Sequence, residues 1–322
     1  MTLFHGLPSD MVRAIAQDSE GVMWFGTDAG LARYDGRRTQ TVTDEGLAGR
    51  RVLAVRVGPG GELWVGTDGG AFVRAGGEGS RFRALPETKG KTVTAVNTNA
   101  PGRAFLATGD GLVFDSRQQP DESFTTRPLL AEPVTAAGKS QPLWLTSLAF
   151  AGETLLVGTR GRGLLAVTPE GTLKEVAGRP RAFFVEALAE DSEGGVVRLG
   201  SQTSAGDSGL YKIEGASPPQ QQQLRAVKLA GASTGTVSAL ARASGGDLYA
   251  ATDGHGVFRY RGEQVFEHFT FEGTAGGLRS DRVSAVFVDR EGVVWFGTNR
   301  GVCRFDPHGV RVEKLSAETE SN

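Results

Sequence analysis

Apolar residues along this chain come in short runs of four to eight, each bounded by Gly, Asp, Ser or Pro, and runs of that length between turn formers predict strands rather than helices. The clearest unit lies near the C-terminal end. There VSAVFVD (283–289), VVWFGT (293–298), VCRFD (302–306) and VRVEKL (310–315) read as strands A to D, joined by DREG, NRG and PHG. Links this short force antiparallel neighbours, so the unit is a four-stranded meander.

The unit recurs. GVMWFGTDAGLARYDG, from Gly21, is written seven times with different degrees of wear, and the Thr or Ser closing each first half falls at Thr27, Thr67, Thr108, Thr159, Ser201, Thr252 and Thr298. A single meander has two apolar faces and must stack on copies of itself. Small residues recur in the A strands (Ala14, Ala54, Ala95, Ser147, Ala187, Ala239, Ala285), which suits the crowded inner edge of radially arranged sheets. The expected fold is all-β, a seven-bladed β-propeller of four-stranded antiparallel blades, which solves the edge-strand problem by closing on itself. An open solenoid would need polar end caps, and neither end reads as one. One domain is expected over residues 1–322, with blades at approximately 11–48, 49–90, 91–140, 141–180, 181–233, 234–279 and 280–322. Ring closure has two solutions. Either Val310–Leu315 completes the last blade as its own D strand, the favoured reading, or Thr2–Phe4 supplies an outer strand and clasps the termini.

The run GLPSDMVRAIAQDSEGVMWFGTDAGLARYDG, from Gly6 to Gly36, resembles the repeat of the two-component regulator propeller family. The resemblance rests on Leu7 to Asp10, the Asp-x-x-Gly turn at Asp18 to Gly21, Trp24 to Thr27 and Gly30 to Asp35. It returns at Arg279 to Asp281, Asp289 to Gly292, Trp295 to Thr298 and Gly301 to Asp306. The middle units keep the spacing and lose the letters. This resemblance implies the sensor region of a bacterial hybrid histidine kinase, a periplasmic setting and a downstream kinase or further propeller in a longer chain. The later parts of such a sensor do not occur in these 322 residues, and the sequence leaves open a free-standing propeller or one cut from a longer protein.

Composition narrows the function classes. The 47 glycines stand at fixed places between apolar runs, as turn punctuation. A net charge of −2 gives no basic footprint, so no nucleic-acid partner is expected. A single cysteine, Cys303, excludes an internal disulfide and a cysteine-rich metal site, and its column is otherwise apolar, which predicts a packed thiol. The first twenty residues carry no signal-peptide pattern and no apolar run is long enough to span a membrane.

The repeated letters read as structure. Trp24, Trp64 and Trp295 share one register of strand B and predict packing between blades. Asp28, Asp68, Asp253 and Asn299 follow the marker Thr, where a B-to-C hairpin turn is needed. Chemistry is sparse: His5, His255, His268 and His308 are scattered, and no zinc, nucleophile-elbow or phosphate-loop motif occurs. No catalytic residue, metal site or cofactor is expected.

Function is therefore sought where the units differ, on the face carrying the D-to-A and B-to-C loops around the central opening. Candidate ligand-binding residues there are Trp144, Arg51, Lys91, Arg160, Arg181, His255 and Arg282, with Lys89 and Arg162 beside them. Together they predict a cationic rim suited to an acidic sugar or other anion. The leading expectation is a non-catalytic sensory propeller binding a small molecule or oligosaccharide. A scaffold for protein partners is the alternative, and a propeller lyase or glycosidase the third reading.

Overall fold

The structure is a computed structural model that describes residues 1, 5–76, 80–130, 132–135, 140–168, 171–176, 184–190, 197–202, 209–214, 225–228 and 236–307, with backbone alone at 197–202, 212–214 and 225–228. Every sheet is an antiparallel meander in chain order. The first holds β1–β4 (Val12–Gln17, Met23–Thr27, Gly30–Tyr34, Thr39–Thr41), and the second β5–β8 (Val52–Val57, Leu63–Thr67, Gly70–Arg74, Arg83–Leu85). The third holds β9–β12 (Val93–Ala100, Arg103–Thr108, Val113–Gln118, Phe124–Pro128), and the fourth β13–β16 (Leu145–Ala151, Thr154–Thr159, Leu164–Val167, Leu173–Glu175). The fifth holds β17–β20 (Phe184–Glu190, Val197–Gln202, Gly209–Glu214, Arg225–Lys228), and the sixth β21–β24 (Val237–Arg242, Leu248–Thr252, Val257–Arg261, Gln264–Phe269). The last sheet is β25–β27 (Val283–Val288, Val294–Thr298, Gly301–Phe305). A short 3-10 turn lies at Pro86–Thr88.

The expectation of seven four-stranded blades is corrected. Among the described residues the propeller has six four-stranded blades, and its last sheet has three strands. Among the described residues no strand pairs with the outer edge of β27. The strands expected there, Val310–Leu315 or alternatively Thr2–Phe4, both lie outside the described residues; Met1 lies beside β27, its ammonium donating to the Val302 carbonyl at 2.6 Å and its carbonyl accepting from the Val302 N–H at 2.9 Å. A sheet edge presents backbone donors and acceptors, and this contact satisfies one residue of it.

Chain pattern accounts for the layering. The B strands β2, β6 and β26 are buried at every residue, because a second strand is covered by neighbouring sheets on both faces. Outer strands such as β4 are exposed and polar. Marker threonines close the B-to-C turns: Thr27 Oγ1 donates to the Gly30 carbonyl at 2.8 Å and accepts from the Ala29 N–H at 3.2 Å, and Thr67 and Thr298 repeat the arrangement. The Asp28 carboxylate points away from its own turn and pairs with Arg13.

Between sheets, apolar clusters join Trp24 and Leu31 to Val52 and Phe72, Trp64 to Val93 and Phe114, and Val12 and Phe25 to Ala285 and Trp295. That last cluster closes the ring. Two small devices tighten the inner edge. The glycine of each Trp-x-Gly-Thr strand lies under the first valine of the following A strand, as Gly26 lies under Val52, Gly66 under Val93 and Gly297 under Val12. In addition, a hydroxyl at the second A-strand position donates to the next sheet's first carbonyl. Ser238 reaches Val283 at 2.5 Å, Ser284 reaches Val12 at 2.5 Å, and Thr146 reaches Val185.

The Asp-x-x-Gly turn also holds the signature tryptophan. Asp18 accepts the Trp24 indole N–H at 2.8 Å and the Val22 N–H at 3.0 Å, and Asp289 does the same for Trp295 at 2.7 Å and Val293 at 2.8 Å. In the second sheet Gly58 stands where these aspartates stand. Trp64 Nε1 and Glu62 Oε2 are buried there without a hydrogen-bond partner among the described residues, while Glu62 Oε1 accepts from the Gly102 N–H at 2.5 Å. A Cβ added at Gly58 would meet the carboxylate end of Glu62, so an aspartate there sets a second carboxylate beside a buried one. Gly58→Asp alone should therefore destabilise, and Gly58→Asp with Glu62→Val should recover stability by giving the indole its acceptor. Urea unfolding should return a coupling of about 1–2 kcal/mol between the two sites, whereas strict additivity would refute it.

Candidate functional site

Residues at the A-strand starts and B-to-C turns converge on one end of the central channel, around a cavity of about 460 Å³. Three guanidinium groups (Arg13, Arg160, Arg282) and two carboxylates (Glu186, Asp253) line it, with Ser238, Ser284 and Asn299 between them. These side chains come from the first, fourth, fifth, sixth and last sheets, so the site exists only once the ring has closed. Their placement follows from the fold. A strands begin at this face, and the residue after each first apolar position faces the channel.

The charges are matched in pairs. Arg160 holds Glu186 through Nε at 3.0 Å and Nη2 at 2.9 Å, an ordered two-point contact. Arg13 pairs with Asp28, whose carboxylate also lies 3.4 Å from Arg51. Arg282 and Asp253 stand 3.8 Å apart with side chains 72% and 67% exposed, a loose pair of the kind that contributes little. Asn299 Oδ1 is buried at the cavity wall without a hydrogen-bond partner among the described residues.

Of the residues singled out from the sequence, Arg160 and Arg282 line this cavity. Arg51 lies at its margin on Asp28. Lys91 is bound to Asp110 at 2.7 Å. Trp144 is 41% exposed and rests against Gly109, with its carbonyl accepting from the Arg160 N–H at 3.0 Å. His255 is exposed, and its carbonyl accepts from His268 Nε2 at 2.7 Å. Arg162 pairs with Glu175 at 3.0 Å. Arg181 lies outside the described residues. The rim thus combines cations with carboxylates of neighbouring sheets, because A-strand and B-to-C residues of opposite charge meet across the blade boundaries.

Arg13, Glu186, Ser238 and Ser284 escaped the sequence reading. All stand at the second A-strand position, the column Arg13, Leu53, Thr94, Thr146, Glu186, Ser238 and Ser284, which repeats poorly from unit to unit. That irregularity was the available signal.

A second charged cluster lies away from the channel in the third sheet. Asp115, 1% exposed, accepts from Arg103 Nε at 3.0 Å and from Arg117 Nη2 at 2.8 Å, with Arg127 at 3.8 Å. Burial pushes the Asp115 carboxyl up, and the guanidinium hydrogen bonds of Arg103 and Arg117 outweigh it, holding the group below the ordinary carboxylate range. Asp247 with Arg261 and Arg259 repeats this balance in the sixth sheet. Cys303 is partly buried, and burial raises its thiol, as a packed cysteine requires. Among the described residues no group of His, Cys, Asp and Glu is placed to hold a metal ion, and no helix is long and apolar enough to cross a membrane.

Comparison with known proteins places this geometry in context. The family model described as the two component regulator propeller matches residues 6–29 and 277–300. The extracellular domain of BT4673 from B. thetaiotaomicron, assigned as a hybrid two component system, superposes with a TM-score of 0.69 at 23% identity, over 91% of this chain and 38% of that one. The extracellular domain of BT3049 from the same organism, assigned likewise, gives 0.69 at 18% identity, over 94% and 40%. Virginiamycin B lyase from Staphylococcus aureus shares the fold at a TM-score of 0.66 and 11% identity, over 91% and 93%. This chain spans about 40% of the length of the extracellular domains it matches. No curated protein sequence matches it.

Proposed function

We propose that this chain, whose first and last repeats match the two-component regulator propeller, is a sensory propeller that binds a small polar ligand at the cavity beside Arg160 and Arg282. The ligand class is an acidic sugar or a short oligosaccharide bearing a carboxylate. The loose Arg282–Asp253 pair carries this reading: it leaves a guanidinium fork that a ligand carboxylate takes up at little cost, beside an Arg160 already fixed by Glu186. Asn299 Oδ1 adds an acceptor for a sugar hydroxyl. In a longer sensor the propeller would face the periplasm and pass its ligand state to a downstream kinase.

A second reading, a scaffold for protein partners, is favoured by the exposed apolar side chains of β24, where Phe266 is 54% and Val265 38% exposed. The lyase fold match adds no catalytic residue to the cavity. A thermal-shift screen of uronate oligosaccharides, neutral oligosaccharides and amino acids separates these readings. A true ligand at a hundred times its dissociation constant adds about 2.7 kcal/mol. Arg282→Glu should then weaken binding about tenfold or more. Affinity unchanged by Arg282→Glu would remove the site, and no shift with any probe, together with a protein partner recovered by pull-down, would favour the scaffold.

A further inference from the structure

The opposite end of the channel holds a larger cavity, of about 590 Å³. Its inner wall is an aliphatic collar that includes Ile15, Leu148, Leu188, Leu240 and Val286, the fourth position of successive A strands. The same side chains also line a smaller space in the channel that reaches Arg13, Ser238 and Ser284 of the cavity already described. The fifth A-strand position is where the repeats part. Four units carry alanine (Ala16, Ala149, Ala189, Ala241) and the last carries Phe287, and the two polar departures are Arg56 in the second and Asn97 in the third, each on a strand that otherwise follows the pattern.

Neither departure serves the fold in the way an alanine does. Arg56 is exposed, lines the cavity, and has no ion-pair or hydrogen-bond partner among the described residues. Asn97 is buried, and its Nδ2 donates to the Leu148 carbonyl at 3.1 Å and to Glu190 Oε1 at 2.7 Å. That same oxygen accepts the Phe150 N–H at 2.6 Å. Three adjacent sheets are thereby tied at the cavity wall, and Glu190 is fixed by neutral donors instead of by Arg56. The polar frame is preorganised, and it leaves the Arg56 guanidinium without an ion-paired carboxylate among the described residues, beside a concave space whose lining also includes Glu190, Arg242 and Ser244.

We infer that this end of the channel is a second binding site, specific for a small carboxylate-bearing molecule, with the carboxylate on the Arg56 fork and the body of the ligand against the aliphatic collar. Guanidinium is suited to two-point recognition of a planar carboxylate, and a cavity with low-dielectric walls strengthens that contact. Arg56 is an exposed, unpaired side chain, so Arg56→Gln removes the charge without disturbing the blade.

The test uses the whole chain titrated with D-glucuronate and citrate, with D-glucose as the neutral counterpart of the first, followed by amide NMR at constant ionic strength. A carboxylate should move the amide signals of Asn97, Phe150, Ala189 and Ala241 in Arg282→Glu as in the unaltered chain, and Arg56→Gln should weaken this binding about tenfold or more. Glucose should leave the same signals unmoved. No movement with either carboxylate, movement reproduced by chloride, or an affinity unchanged in Arg56→Gln would overturn the inference. Arg282→Glu acts at the other end of the channel and should leave these shifts intact, so failure of one site is distinguishable from failure of the other.

Discussion

Asp115→Asn should be the most damaging single change of a polar group in the third sheet, lowering stability by about 3 kcal/mol near neutral pH. The carboxylate is buried under two guanidinium groups that hydrogen-bond it directly, with a third nearby. Arg103 and Arg117 stand directly opposite one another across β10 and β11, so losing the central charge leaves two like charges as cross-strand neighbours. Linkage fixes the pH dependence. The folded-state pKa of Asp115 is lowered, so its stabilisation is fully present above the ordinary aspartate pKa of about 3.9 and is lost as pH falls through the lower folded value. The gap between wild type and variant in urea unfolding should therefore be widest near neutrality and shrink in acid. Equal stability at both ends of the range would show that the arginines re-solvate and the pair contributes nothing.

Gly66→Ala is the second large effect expected. A methyl group there would lie 2.8 Å from both the Val93 carbonyl oxygen and Val93 Cγ1, and the oxygen belongs to the backbone of β9, which cannot rotate away. Overpacking of this kind costs about 1–3 kcal/mol, and two adjacent sheets share the strain, so the upper part of that range is expected. The third and sixth sheets carry Ala107 and Ala251 at the same register and accommodate them buried. Ala107→Gly should consequently produce a smaller loss than Gly66→Ala. Equal midpoints for Gly66→Ala and wild type in denaturant would mean the sheets can separate by a few tenths of an ångström without penalty.

These glycines show which parts of the fold were legible in the letters. The Trp-Phe-Gly-Thr strand, its threonine-closed turn and the antiparallel order of strands follow from local chemistry, and each repeats the same contacts wherever the letters survive. Even the indole acceptor Asp18 was visible as the Asp-x-x-Gly turn, although its bond to Trp24 was not. The blade count failed at the ring's own seam, where the main chain of Met1 lies beside β27 from the far end of the sequence. Such a pairing joins residues with no local relation, so the repeat pattern allowed either closure, an N-terminal clasp or a C-terminal D strand, without deciding between them. The candidate site was legible as a face and not as a charge balance. Arg160 and Arg282 were found by their turns, but Glu186 and Asp253 neutralise them across blade boundaries, a geometry set by the closed ring. Arg56 and Asn97 were visible as breaks in an alanine column, but only their place in the channel gives the break a meaning.

The hydroxyl contacts between A strands carry one more consequence. Ser284 reaches Val12 as Ser238 reaches Val283, and Gly297 sits under Val12 as Gly26 sits under Val52. The junction between the two ends of the chain is built from the same parts as junctions inside it. In topological terms the ring has no privileged first blade. Its order along the chain could be rotated, as in a circular permutation, with these contacts carried over unchanged, and the channel with its two charged mouths would remain where it is.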